Sequence, residues 1–316
     1  MKIKTLEIKL FFITLLFLSF VNFFFKTYHE ISTGSDINSY LYNLDIYAVQ
    51  QKTDNIISAK GYFYELISFF NLFLKLDAKN LFILIFNIIS FLLTLILFRD
   101  ALRSKNILVS FLIVSMVLLT PSVLEFLISN VRSSLAFVLF LIGLNYQSKL
   151  FKFIFFSISL SIHLLILPLL IIYIMFVMLN RVPLLNKFDL YLNYIIIFTL
   201  NALIFYYTIN FVFLKPYNKG FLYIIFTLSF FAIFVYLKKS IKFVEGYLAI
   251  NSILIVCIAS ILNLDFTRYF PISLIFFSIF LLKHNNKNYL KIYSIYYFFM
   301  FTVEWVNFYR SVIFLS

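Results

Sequence analysis

Apolar residues do not alternate along this chain. They come in long blocks separated by short polar joints. Residues 8–25 form the first block, and further blocks fall at 80–98, 106–120, 130–144, 153–179, 190–212, 221–237, 246–262, 269–282 and 289–303. Several blocks reach the roughly 20 residues that an α-helix needs to cross a bilayer. The pattern predicts an all-α polytopic membrane protein, 1–316 being a single integral membrane domain. About nine full transmembrane helices are expected, with short or re-entrant helices among them.

Two stretches depart from the block pattern. Residues 26–60 are the most polar part of the chain, holding His29, Glu30, Asp36, Asp45 and Asp54, and read as a long outer loop. Residues 61–76 are apolar but short, and Tyr62, Glu65 and Asn71 interrupt them. Sixteen helical residues reach only about 24 Å, so this piece is expected to re-enter or to lie on the surface. The block at 153–179 is too long for one ordinary span and too short for two. Serines 157, 159 and 161, then His163, then Pro168, interrupt it, which suits two short helices meeting near His163.

Composition agrees with a lipid setting. Hydrophobic residues make up 63% of the 316, charged residues only 12%, and Phe alone occurs 45 times. A water-soluble domain has no interior large enough for this load. The net charge of +13 sits in small basic groups between the blocks, as headgroup anchors do, rather than in a stripe suited to nucleic acid. The bias of basic residues toward the cytoplasm places 99–105 and 237–242 inside, and 26–60, Arg132 and Arg268 outside. The one cysteine, Cys257, allows no internal disulfide. No CxxC, HExxH, Walker or dinucleotide motif occurs, and His29, His163 and His284 are scattered, so no dedicated metal site is expected.

What remains is a sparse polar set: Asp36, Glu65, Arg132, His163 and Arg268. An ion near lipid is expensive and usually faces a cavity or a partner. An arginine that only anchors at headgroups is the plain alternative. Arginine also matches phosphate oxygens with two parallel donors and a permanent charge.

Four segments carry a resemblance: "STGSDINSYLYNL" (32–44), "KGYFYELISFFNLFL" (60–74), "NVRSSLAFVLFLIGL" (130–144) and "SISLSIHLLILPLLI" (157–171). Together they resemble the EpsG/Wzy-like family of bacterial polysaccharide polymerases (O-antigen, capsule or exopolysaccharide). On that resemblance Gly34, Asp36 and Tyr40 take the first family element, Gly61 and Tyr62 the second, Arg132 and Ala136 the third and His163 the fourth. It implies a GT-C-like glycosyltransferase in the bacterial inner membrane, with its active site facing the periplasm or cell exterior. There undecaprenyl-diphosphate-linked glycans would be joined, the growing chain passing to a new repeat unit. Arg132 and Arg268 would bind the departing diphosphate and Asp36 or His163 would act as base. Tyr40, Tyr62 and Glu65 would be available to sugar. No nucleotide, cofactor or fixed metal is implied, and a loosely held divalent ion beside Asp36 stays open. A chain-length regulator and a flippase of the same pathway would be partners, and nucleic acid would not. The alternatives are a lipid-linked oligosaccharide flippase or exporter, and a membrane acyltransferase acting on surface polysaccharide.

Overall fold

The computed structural model describes residues 12–16, 18–19, 35–49, 63–104, 106–181, 243–261, 268–284 and 293–306, and every regular element among them is helical. After helical residues 12–16 and 18–19 these are, in chain order, α1 (Ser35–Leu44, running on into a π-helical turn, Asp45–Val49), α2 (Phe63–Leu74), α3 (Ala78–Leu102), α4 (Ile107–Leu118) and α5 (Pro121–Ser129). They continue with α6 (Val131–Asn145), α7 (Lys149–Ile162), α8 (Ile166–Arg181), α9 (Val244–Ile261), α10 (Tyr269–Lys283) and a last helix, α11, over 293–306. The chain divides into two compact units, one of Met1–Ile166 with Asn285–Ser316 and one of Leu167–His284.

In the first unit α3 is the element around which the others gather: α1, α4, α5 and α6 all pack on it. Its start is well defined. Asp77 caps it, its carboxylate accepting from the Asn80 amide at 2.8 Å. Just before, Lys75 takes a positive φ of 51°, and Asn71 closes the turn by bonding both the amide and the carbonyl of Leu76 at 2.9 and 3.0 Å. Leu81, Phe82, Ile85, Phe86, Ile89, Leu93, Ile96 and Leu97 are all buried, a broad apolar face at helical spacing. At 25 residues, α3 is about 37 Å long, enough to cross a hydrocarbon core of about 30 Å.

The expected nine spans are corrected by the helix lengths. Among the described residues α3 is the one helix long and apolar enough to cross a membrane; α4 and α5 pass that test only as a pair bent by 54°. The reason is helix length. The block at 106–120 yields a helix of only 12 residues, and α5 starts anew at Pro121. The block at 153–179 is split at His163, whose extended backbone (φ −156°, ψ 127°) ends α7. Helices α2, α6 and α10 have 12, 15 and 15 residues, roughly 18–23 Å at 1.5 Å per residue. The all-α class stands, whereas the polytopic GT-C-like architecture and the multi-pass inner-membrane placement do not. The blocks at 190–212 and 221–237, and most of 8–25, lie outside the described residues, as do 237–242 and most of the 26–60 loop.

Helices α6 and α7 form the tightest pair of the first unit. Ser159 Oγ donates to the Ala136 carbonyl at 2.5 Å. Phe140 stacks on Phe156 with centroids 4.9 Å apart, and Tyr146 stacks on Phe151 and Phe155. The pair can approach this closely because residue 143 is glycine. A Cβ there would lie 2.9 Å from two atoms of the Phe156 ring and 3.1 Å from Phe155 Cβ.

In the second unit α9 and α10 pack along one another. Every residue from Tyr269 to Leu282 is buried, as expected of a helix that is apolar on all sides. The start of α9 is tied to the end of α10. Lys283 Nζ donates to Glu245 Oε1 at 2.7 Å, His284 Nε2 lies 3.9 Å from Glu245 Oε2, and the His284 ring stacks on Phe243. Burial by itself would raise the Glu245 carboxyl, but His284 and the Lys283 charge outweigh it and hold it down at about 2.

Two predictions follow from this packing. Gly143→Ala gains about 1 kcal/mol of helix propensity but overpacks a stacked ring, at a cost of about 1–3 kcal/mol. Thermal unfolding followed by circular dichroism in detergent should therefore show a lower Tm, restored in part by adding Phe156→Val; an unchanged or raised Tm in the single variant refutes the close-packing account. For Glu245, the folded-state pKa lies below the ordinary value of 4.5. Its contribution is thus fully present above pH 4.5 and fades as the pH falls toward 2. Glu245→Gln should cost about 1–3 kcal/mol at neutral pH and should flatten the dependence of Tm on pH between 4.5 and 2. A parallel pH curve in the variant would show that the ion pair does not contribute.

Candidate functional site

The candidate site is built where α5 gives way to α6. Asn130 separates them with a non-helical backbone (φ −121°, ψ 46°) and makes no side-chain cap. Arg132 follows as the second residue of α6. A cation in the first turn sits at the positive end of the helix dipole, which disfavours it by a few tenths of a kcal/mol to about 1 kcal/mol. Two aromatic faces offset this. The guanidinium carbon lies 5.8 Å from the ring centroid of Tyr40, on α1, and 5.8 Å from that of Tyr64, on α2. Arg132 Nε also points toward the Tyr40 hydroxyl at 3.5 Å, the outer limit of a hydrogen bond.

The tyrosines are themselves fixed. Tyr64 is buried, and its ring meets Phe63 edge-on at 5.0 Å and Tyr47 at 5.5 Å. Burial pushes its phenol above the usual range, the Arg132 charge opposes that rise, and the Asn43 side chain hydrogen-bonds it. Asn43 is buried and donates to the Ser39 carbonyl at 2.6 Å. The Tyr40 ring lies 6.4 Å from Phe82 of α3. Beside Arg132 on α6, Ser133 and Ser134 are fully buried; Ser134 donates to the Val131 carbonyl, while Ser133 Oγ has no hydrogen-bond partner.

The structure thus brings together Arg132 and Tyr40 of the expected residues. Asp36 lies one helical turn before Tyr40 on α1. Glu65 follows Tyr64 on α2 and is exposed. Tyr62, Gly61 and Gly34 lie outside the described residues. Arg268 stands just before α10, in the second unit, and is half-buried. His163 spends Nδ1 on the Leu165 amide, from which it accepts at 2.9 Å. A neutral ring so held carries its proton on Nε2, and the nitrogen able to take another is already occupied. Among the described residues no three His, Cys, Asp or Glu side chains are grouped to hold a metal ion.

Three members of the cluster were not anticipated: Asn43, Tyr47 and Tyr64. Tyr40, Asn43 and Tyr47 recur at i, i+3 and i+7, the spacing of one helix face. Tyr64 stands two residues past the glycine-tyrosine pair that drew attention instead.

No protein family, curated protein or solved structure matches this chain. Membership of the EpsG/Wzy-like family is overturned by the described helices, which supply one span, or two with the bent pair, where that family requires many. The polymerase function falls with it, and so do the flippase and acyltransferase alternatives framed on the same polytopic chain. The lipid-linked glycosyltransferase reading falls on the same ground, since the described helices do not build the polytopic architecture it assumes.

The aromatic clamp makes a measurable prediction. In a double-mutant cycle of Arg132→Met and Tyr64→Leu, thermal unfolding should reveal a coupling of about 0.5–1 kcal/mol. Strict additivity of the two substitutions would show that ring and guanidinium do not interact.

Proposed function

We propose that the cluster of Arg132, Tyr40 and Tyr64 binds the anionic headgroup of an amphiphile, with lipid phosphates and diphosphates as the class. The carrying observation is the placement of Arg132 between two tyrosine rings at the head of one helix, with α2 leading from one of those rings to an exposed apolar face. Tyr64 is buried at the start of α2, while Phe69, Phe70 and Phe73 farther along it are 57%, 52% and 74% exposed. The Phe69 ring meets those of Phe70 and Phe73 edge to face. Phe73 lies nine positions on from Tyr64, about 13 Å along the helix and on its opposite side, so the chain of a headgroup held at Arg132 would pass around α2 to meet it. A guanidinium offers a phosphate two parallel donors, and the flanking rings limit the directions it can adopt. The long apolar α3, on which α1 and α6 pack, suits a membrane-associated setting for such a ligand.

Native mass spectrometry of the full chain in a neutral detergent tests this, with phosphatidic acid and phosphatidylcholine as probes. The protein should retain phosphatidic acid in preference. Arg132→Ala should weaken that retention by at least about tenfold, roughly 1.4 kcal/mol, and Arg132→Lys should fall between, keeping charge but losing the planar fork. Equal retention of phosphatidic acid by wild type and Arg132→Ala would sink the proposal.

A further inference from the structure

The break between α4 and α5 leaves two backbone groups without their helical partners. In a continuous helix the Ser122 amide would donate to the Leu118 carbonyl, and the Leu119 carbonyl would accept from the Val123 amide. Here Pro121 ends that register, and the Val123 amide turns to the Thr120 carbonyl at 2.9 Å. Thr120, at the capping position of α5, makes no cap; its hydroxyl donates back to the Met116 carbonyl at 2.6 Å.

Two adjacent side chains of α11 supply what is missing. Glu304 Oε2 accepts from the Ser122 amide at 2.9 Å, and Oε1 accepts from the Ser122 hydroxyl at 3.2 Å. Trp305 Nε1 donates to the Leu119 carbonyl at 3.1 Å. A carboxylate on the first turn of a helix is also favoured by the helix dipole. The bend of 54° is thus closed, donor and acceptor alike, from a segment more than 180 residues away.

Helix α5 has only nine residues, and Asn130 alone separates it from α6. The start of α5 is therefore coupled through one short helix to the first turn of α6, where Arg132 sits, alongside the packing of α6 on α3 and α7. We propose that Glu304 and Trp305 are positioning residues for Arg132: they latch the bend and so hold the guanidinium between Tyr40 and Tyr64. This rests on the reading of Arg132 as the seat of an anionic headgroup.

The test uses the full chain in a neutral detergent, with wild type, Glu304→Ala, Glu304→Gln, Trp305→Phe and Arg132→Ala, each checked for unchanged helicity. Hydrogen exchange by mass spectrometry reads the latch without any ligand. In Glu304→Ala, exchange should rise both at 119–124 and at 130–134, and the emission of Trp305, the one tryptophan of the chain, should shift to the red. Retention of phosphatidic acid should fall by roughly five- to tenfold, the size of a lost helix cap. Glu304→Gln keeps an acceptor for the Ser122 amide and should recover most of both readouts, while Trp305→Phe should show a smaller loss of the same kind. Exchange that rises at 119–124 alone overturns the positioning role, as does full lipid retention in Glu304→Ala beside a clear loss in Arg132→Ala. Should Arg132→Ala itself retain the lipid, the headgroup reading has failed, and the exchange at 130–134 then decides the latch by itself.

Discussion

Every break in an apolar helix exposes backbone amides and carbonyls that apolar neighbours cannot satisfy, and the described helices are arranged around meeting that demand. An unpaired backbone group away from water costs as much as a lost hydrogen bond or more. Asn71 meets it after α2 by bonding both polar groups of Leu76, and Asp77 caps α3 immediately afterwards. His163 meets it between α7 and α8 by accepting from Leu165. Between α4 and α5 the demand is met from α11, by Glu304 and Trp305. At these three breaks a side chain closes the end of a short helix in a very apolar chain.

This constraint changes how the rare polar residues read. In a chain that is 63% hydrophobic, an isolated histidine or glutamate stands out and invites a chemical role. His163 and Glu304 are instead engaged with backbone at helix ends. Arg132 differs in kind. Aromatic faces brought by two other helices flank it, and it occupies the helix end where a cation is least welcome.

The helical class and the apolar stripe of α3 were legible because they depend on local periodicity. Helix lengths were not. The end of the 106–120 block at Pro121 was legible, but the side chains that satisfy the backbone there, Glu304 and Trp305, sit far along the sequence and were not. The division of 153–179 near His163 was legible from the polar interruptions, and the break falls at His163, with Pro168 inside the first turn of α8 where its missing amide costs little. Arg132 could be singled out because an ion within an apolar run is conspicuous. Its tyrosine partners could not, since 22 tyrosines are spread through the chain and only the folded arrangement of α1, α2 and α6 selects two of them.

The energetics of Arg132 suggest why such a cluster would persist. Its place in the first turn of α6 costs up to about 1 kcal/mol against the dipole, and two cation–π contacts return about 0.5–1 kcal/mol each where partly exposed. The arrangement without a ligand is therefore close to neutral, neither a strong brace for the fold nor a serious defect in it. An anion changes the balance twice. It pairs with the guanidinium, and it is itself favoured by the amides and dipole of the same helix start. On the proposed reading, the arginine would give the site its preference for negative charge, and Tyr40 and Tyr64 would fix where that charge comes to rest.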